Sequence, residues 1–280
     1  LPLEQNTLPD RLDGKRIFIN FDQGLGDELF FLRFFDRLRE RNPQITYLTQ
    51  EKIAEIIRRN LPGEQVVTNN QQIDLSGFDH CISIGDLPFL LNMKNENDIP
   101  PSVSLSVLPE RRAEIKRKLR DFGPAPYFGI TWRSGTEQYN KLFKIVPQDA
   151  LAQALRDVKG TYIALQRGPQ PGEIQRFSEH IDQPVHDMTS LNDDLEAMLA
   201  TLAILDDYIC VSNTNVHLRE AVGKPSRVLV PFPAEYRWMV KEGESLWFPG
   251  TAVYRQAANF SWHDALTALS DELSAQWQQN

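Results

Sequence analysis

Apolar and polar positions along this chain predict strands and helices in turn. Arg16 to Phe21 is a short apolar run of the length of a buried strand. Leu29, Leu32, Phe35 and Leu38 then recur at helical spacing and predict a helix from Glu28 to Arg41. Short strands at Ile45–Leu48 and Gln65–Val67 flank a helix at Lys52–Asn60, and His80–Ile84 is a further strand. Glu110–Asp121 reads as a strongly charged helix, after which Gly123-Pro124-Ala125-Pro126 breaks the pattern. The alternation restarts with strand Tyr127–Trp132, helix Gln148–Val158, strand Thr161–Gln166 and helix Gly172–Glu179. Helix Asp194–Leu205 is small or apolar on most faces, which predicts burial. Strand Tyr208–Val211, a helix carrying His217 that stops at Gly223-Lys224-Pro225, and strand Arg227–Val230 follow, and an amphipathic helix from Trp262 to Trp277 closes the chain. Repeated β-α units of this kind predict mostly parallel sheets covered by helices. The expected fold class is therefore α/β, with two Rossmann-like domains, 1–125 and 126–280, facing across a cleft, and a last helix free to pack back on the first domain. There is no short internal repeat, which argues against a solenoid.

Composition narrows the setting. The 280 residues are 41% hydrophobic and 24% charged, an ordinary globular balance, and suit one large or two medium domains. The net charge of −8 and the lack of a basic stripe argue against nucleic acid as a partner. The basic run Arg111–Arg120 is interrupted by Glu114 and followed by Asp121, so it reads as a solvated helix face. Cys81 and Cys210 both lie in apolar, strand-like runs, which points to two reduced buried thiols and a cytoplasmic protein. No apolar stretch approaches the ~20 residues of a membrane span and no signal peptide is visible, although peripheral attachment to an inner membrane stays open. The chain begins with Leu1 rather than Met, which leaves room for preceding segments.

Two strand-to-helix turns carry the candidate chemistry. In the second half, Ser212-Asn213-Thr214-Asn215 joins a strand's carboxyl end to a helix's amino end. Open α/β sheets bind ligands there, and unpaired helix N–H groups favour an anion such as phosphate. Asn213 or Thr214 suits the helix cap, and His217, one turn into the helix, suits a hydrogen bond to that anion. Arg133 and Ser134 close the preceding strand, Lys141 and Lys144 follow in a polar loop, and Gln166-Arg167-Gly168-Pro169 ends the next strand. In the first half, Gly24-Leu25-Gly26-Asp27-Glu28 opens a helix but lacks the third glycine of a dinucleotide fingerprint, and its two carboxylates would repel a pyrophosphate. Gly24 and Gly26 then shape a tight turn. Asp27 is either a helix cap or a general base facing the cleft, and Asp22 is a second carboxylate with a loop role. The five histidines are scattered, no Asp-x-Asp turn stands in a metal-binding context, and no nucleophile elbow is present, so neither a metal nor a cofactor is expected.

The segment Leu205–Gln256 resembles the sugar-nucleotide-binding half of bacterial glycosyltransferases of the lipopolysaccharide heptosyltransferase, family 9-like, type. It is most similar to the variety found as the C-terminal domain of tetratricopeptide-repeat proteins, in which an LD..I..DT...HLAGALGKP helix is followed by DWRW, SPWYP and a closing arginine-glutamine. Here Arg237-Trp238 and Trp247-Phe248-Pro249 match, while Tyr236 and Leu246 depart. Gly24–Asp27 followed by Phe30–Arg33 resembles the family's GLGD helix, Thr131–Gly135 its GLVWAGNP-like strand end, and Gln166–Pro169 its LQKGP-like segment. The likeness runs from Lys15 onward and is weaker between Leu61 and Pro126. It implies the GT-B fold and transfer of a sugar from a nucleotide-diphosphate donor to a hydroxyl acceptor, without metal and with inversion. It implies Asp27 as the catalytic base, with Arg133, Ser134, Lys144, Gln166, Arg167, Asn213, Thr214, Asn215 and His217 on the donor. The nucleotide-sugar is then a substrate, and the acceptor is a glycan, a lipid-linked glycan or a protein. Asn213 is read as standing where related sequences carry Asp. A non-catalytic nucleotide-binding or scaffold domain of the same fold is therefore the alternative, and a nucleotide-sugar epimerase of similar build is a third reading.

Overall fold

The computed structural model describes residues 8–21, 23–134, 144–241 and 244–277. The chain divides into two compact units, Leu1–Ser106 and Val107–Asn280. The first contains β1 (Arg16–Asn20), α1 (Leu25–Phe31), α2 (Phe35–Arg39), β2 (Gln44–Thr49), α3 (Ala54–Asn60), β3 (Gln65–Thr68), β4 (His80–Ser83) and α4 (Leu87–Leu90). Its four strands lie in the order β3-β2-β1-β4, all parallel. Because β2 and β3 lie on one side of β1 and β4 on the other, the direction of winding reverses between β1 and β4. The helix expected at Glu28–Arg41 is interrupted by a 3-10 turn at Leu32–Phe34. This re-aims the apolar face, so that Leu29, Phe30, Phe34, Phe35 and Leu38 all reach the core beside Ile17, Ile19 and Tyr47.

The second unit contains α5 (Pro109–Phe122), β5 (Tyr127–Thr131), α6 (Gln148–Leu155), β6 (Thr161–Ala164), α7 (Glu173–Ile181), β7 (Val185–Asp187), α8 (Leu195–Ile204), β8 (Asp207–Val211), α9 (Thr214–Ala221), β9 (Arg227–Val230), β10 (Val240–Lys241), β11 (Glu244–Ser245), β12 (Ala252–Arg255) and α10 (His263–Trp277). Its sheet runs β10-β11-β12-β9-β8-β5-β6-β7 and is parallel from β12 to β7. The chain builds β5, β6 and β7 outward in one direction, crosses back through α8, and builds β8, β9 and β12 in the other. The switch therefore falls between β5 and β8, where Thr131 stands beside Cys210. At Gly129 on β5, an added Cβ would lie 2.5 Å from Leu205 and 3.0 Å from Tyr208, so only glycine allows this close approach.

The unit boundary differs from the one expected at 125/126. Helix α5 packs on α8 and buries Ile115 and Leu119, which assigns it to the second unit. The Gly123–Pro126 segment is tied to β6 rather than acting as a linker: the Thr161 hydroxyl donates to Pro124 O at 2.6 Å and the Thr161 N–H to Pro126 O at 2.9 Å. Helix α10 buries Leu266, Leu269 and Leu273 in the second unit's core with Phe128, Leu151 and Leu155. As expected, α8 is buried on nearly every face. Its end is held by Arg219 of α9, whose fully buried guanidinium donates to the carbonyls of Leu202, Leu205, Asp206 and Pro225. Gly223, at φ +73°, ends α9 in the left-handed conformation. Cys210 is buried, Cys81 is half-buried, and both are free thiols.

Candidate functional site

The switch point of the second sheet collects most of the polar residues singled out in the sequence. Strand β8 ends at Val211, Ser212 is buried beyond it, and Asn213 caps α9. Asn213 Oδ1 accepts the N–H groups of Asn215 at 2.9 Å and Val216 at 3.3 Å. Its side chain also pairs with the Tyr208 hydroxyl at about the same range, 3.2–3.3 Å, and that hydroxyl lies 2.9 Å from Thr131 Oγ1. The cap is thus locked to both strands that frame the switch. Burial, foremost, pushes the Tyr208 phenol well above its ordinary range, so it stays a neutral hydrogen-bonding group. Two of the helix-start N–H groups are already spent on Asn213. Among the described residues nothing accepts the N–H of Thr214, the half-buried first residue of the helix.

Lys144 is brought to this turn from the other side of the switch. Ser134 N–H donates to Lys144 O at 2.9 Å, and Arg133 bridges Ile145 in antiparallel fashion, which returns the chain to the end of β5. Lys144 Nζ then reaches Ser212 Oγ at 3.4 Å and pairs with Glu235, which also holds Arg237 at 3.1 Å. His217 is buried, with its ring edge-on to Phe248 at 5.4 Å, and Phe248 packs on Trp238 at 5.5 Å. Phe248, backed by Trp238, therefore forms the wall against which the imidazole packs.

Other expected residues are committed elsewhere. Arg133 donates from Nε and Nη2 to the two oxygens of Glu173, at 3.1 and 2.8 Å, and from Nη2 to Gly168 O at 2.7 Å. Glu173 also receives the Trp132 indole and the Gln170 N–H. Gln166 is fully buried; its carbonyl accepts the N–H groups of Trp132 and Arg133, and its amide donates to Arg133 O and Arg167 O. Both side chains thus shape the ends of β5 and β6, while Arg167 is exposed at the end of β6.

In the first unit the glycine-rich segment follows β1, beside that sheet's own switch. Gly24 occupies the cap position with an extended backbone, φ −72°, and Gly26 lies inside α1, so neither glycine makes the expected tight turn. Asp27 is not the cap either. It is a half-buried first-turn carboxylate lying back over the helix start, where a Cβ at position 24 would stand 3.8 Å from its Oδ2. Glu28 turns inward and accepts hydrogen bonds from Tyr47, Thr49 and Gln50. An open groove lined by Arg16, Arg39, Gln44, Thr46, Glu64 and Gln65 lies at the amino ends of these strands, the opposite edge from Asp27. Asp22, Gly135 and Lys141 lie outside the described residues. Among the described residues, no group of three His, Cys, Asp or Glu is placed to hold a metal ion, and no helix is long and apolar enough to cross a membrane.

Sequence reasoning missed Glu235, Glu173 and Tyr208. Glu235 carried a usable signal, since it stands at the acid of the DWRW pattern.

No family model matches the chain. Protein FlbA of Caulobacter vibrioides is 25% identical over 272 residues, a match that covers 85% of this chain and 45% of that protein. The chain thus spans less than half the length of this curated relative. Among solved structures, a glycosyl transferase family 9 protein from Veillonella parvula superposes with a TM-score of 0.65 at 12% identity, covering 98% of each chain. The ADP-heptose lipopolysaccharide heptosyltransferase II of E. coli gives 0.60 at 11% identity, over 94% of this chain and 99% of that one. The E. coli heptosyltransferase WaaC, solved with ADP, gives 0.53 at 14%, over 95% and 100%. The fold is that of the GT-B glycosyltransferases. At these identities the likeness shows the fold alone.

Proposed function

We propose that this chain is a glycosyltransferase that moves a sugar from a nucleotide-diphosphate donor to a hydroxyl acceptor. The observation that carries this reading is the meeting of Lys144, Ser212 and the Asn213-capped start of α9 at the switch point of a parallel sheet. That position favours a phosphate through the helix dipole, the Thr214 N–H and a nearby ammonium. In the proposed reaction Asp27 takes the proton of the acceptor hydroxyl as its oxygen bonds to the anomeric carbon. The bond from that carbon to the diphosphate breaks in the same displacement, which inverts the configuration. Charge growing on the leaving diphosphate is met by Lys144, the α9 start and His217, without a metal ion or cofactor. Ser134, whose N–H donates to Lys144 O, and Asn215, in the first turn of α9, would contribute further polar groups to the donor. Arg133 and Gln166 support the site indirectly by fixing the Gln166–Pro169 turn, at which the exposed Arg167 side chain would meet the nucleoside.

The alternative, a non-catalytic nucleotide-binding or scaffold domain, is favoured by one observation: no carboxylate stands in the strand-to-helix turn itself. Counted back five places from His217, the acid of the DT...HL pattern falls on Ser212 rather than on Asn213, and neither residue ionises as a carboxylate. The association with tetratricopeptide repeats and peripheral attachment to a membrane also remain proposals from the resemblance.

A panel of nucleotides and nucleotide-sugars, screened by thermal shift and then calorimetry, tests the donor reading. A ligand at 100 times its dissociation constant adds about 2.7 kcal/mol to folding stability. Stabilisation by diphosphates but not by the matching nucleosides supports the proposal. Absence of any response across the panel would overturn it, and binding without transfer to any acceptor would favour the scaffold reading.

A further inference from the structure

Glu235 is a carboxylate in direct contact with both Lys144 and Arg237 beside the α9 turn. It pairs with Lys144, whose ammonium touches Ser212, and with Arg237 on the adjoining 3-10 turn. The three side chains are only 21%, 16% and 14% exposed for Lys144, Glu235 and Arg237. A lysine and an arginine converging on one set of oxygens is the arrangement that phosphate recognition uses. Glu235 presents two such oxygens, attached to the chain. Its backbone is held by the Trp238 N–H, which donates to Glu235 O at 3.0 Å, so rotation of the side chain alone would break both pairs.

We propose that Glu235 is an internal counter-ion that stands in for the donor's diphosphate, keeping Lys144 and Arg237 neutralised until the nucleotide arrives. This rests on the donor reading above and adds a control to it: the diphosphate binds by exchange with a tethered carboxylate. Two consequences separate Glu235 from a residue that merely stabilises the loop. Binding has to displace the carboxylate, so the ligand's affinity is lowered by the strength of the native pair. The cost also discriminates among ligands, because a diphosphate replaces the lost carboxylate on both cations better than a monophosphate does.

The test is calorimetric titration of ADP, UDP, GDP and their monophosphates into the wild type, Glu235→Gln, Glu235→Asp and Lys144→Gln, alone and combined with Glu235→Gln. Glu235→Gln removes the charge and keeps the shape. It is expected to bind the preferred diphosphate about three- to tenfold tighter, from the usual strength of such pairs. The monophosphate should gain less, and Glu235→Asp should behave like the wild type. In the Lys144→Gln background the gain should shrink or vanish, because the pair is already broken. Binding by Glu235→Gln where the wild type binds too weakly to measure also supports the exchange. If the diphosphate binds the wild type and Glu235→Gln equally, or Glu235→Gln more weakly, Glu235 positions Lys144 instead and the inference falls while the donor reading stands. If none of the variants binds any nucleotide, the donor reading falls and takes the inference with it. Should Glu235→Gln fail to fold, Glu235→Ala is read by the same criteria.

Discussion

Arg133 grips both carboxylate oxygens of Glu173, at 3.1 and 2.8 Å, and so faces α7 rather than the turn at Ser212. Burial alone would raise the Glu173 carboxyl, but the hydrogen bonds from Arg133, Trp132 and the Gln170 N–H outweigh it and hold the group below the usual carboxylate range. The pair is therefore a brace for the ends of β5 and β6. Arg133→Met leaves the carboxylate partly buried without its cation, and is expected to lower stability by about 2–3 kcal/mol in urea denaturation. Nucleoside diphosphate affinity of the folded variant should stay within about threefold of the wild type. A large loss of affinity at unchanged stability would instead place Arg133 on the ligand.

His217 is held by aromatic packing against Phe248 at the turn where the diphosphate is proposed to sit. His217→Ala should weaken nucleoside diphosphate binding by about 1–3 kcal/mol, the range for a hydrogen bond to a charged group. Calorimetry on the folded variant checks this, and an unchanged dissociation constant would remove His217 from the site.

Asp27→Asn keeps the size and hydrogen-bonding capacity of the side chain and removes its basicity. Transfer, measured with the donor identified by the binding panel, is expected to fall by about 10²–10⁴. Nucleotide affinity and melting temperature should change little, since Gly24, not Asp27, occupies the cap position. Equal transfer rates in the variant and the wild type would leave Asp27 as a first-turn charge and nothing more.

Glu28 is expected to make the first unit's stability depend on pH. Burial, the largest influence, raises its carboxyl above the ordinary 4.5, against the lowering effect of hydrogen bonds from Thr49, Tyr47 and Gln50. A carboxyl raised in the folded state binds more protons there than in the unfolded chain. Its stabilising contribution is therefore full below about pH 4.5 and is lost as the pH climbs through the folded value. Denaturation between pH 4 and 7 should show the wild type losing stability relative to Glu28→Gln as pH rises. Parallel curves for the two proteins would contradict this assignment. Glu173 has the opposite sign: its lowered carboxyl stabilises above the ordinary value and loses that contribution as pH falls.

The elements that sequence patterning located well are those whose burial is intrinsic to the strand or helix. Strand Arg227–Val230 is legible because a branched apolar run is closed by Pro225 on one side and Pro231 on the other. Strands β7 and β12 were missed, since three or four residues of mixed polarity leave no period to detect. The helix from Glu28 to Arg41 reads as continuous because Leu29, Leu32, Phe35 and Leu38 satisfy helical spacing whether or not a 3-10 turn intervenes. The turn at Ser212–Asn215 was legible as local punctuation, and Asn213 does cap the helix. Partnerships across the fold were not legible. Lys144 and Ser212 lie 68 residues apart, and Arg133 and Glu173 lie 40 apart, so nothing near Arg133 announces that its charge is already taken.

The ends of the eight-stranded sheet are β10, with two residues, and β7, with three. Each leaves so short a row of backbone groups that an incoming strand could form only two or three ladder bonds, far fewer than lasting edge-to-edge pairing requires. The antiparallel β10–β11 ribbon ends the parallel array on one side as a hem ends cloth. Copies of this unit that meet at high concentration consequently have little backbone to share, and whatever assemblies they form must be written in side chains.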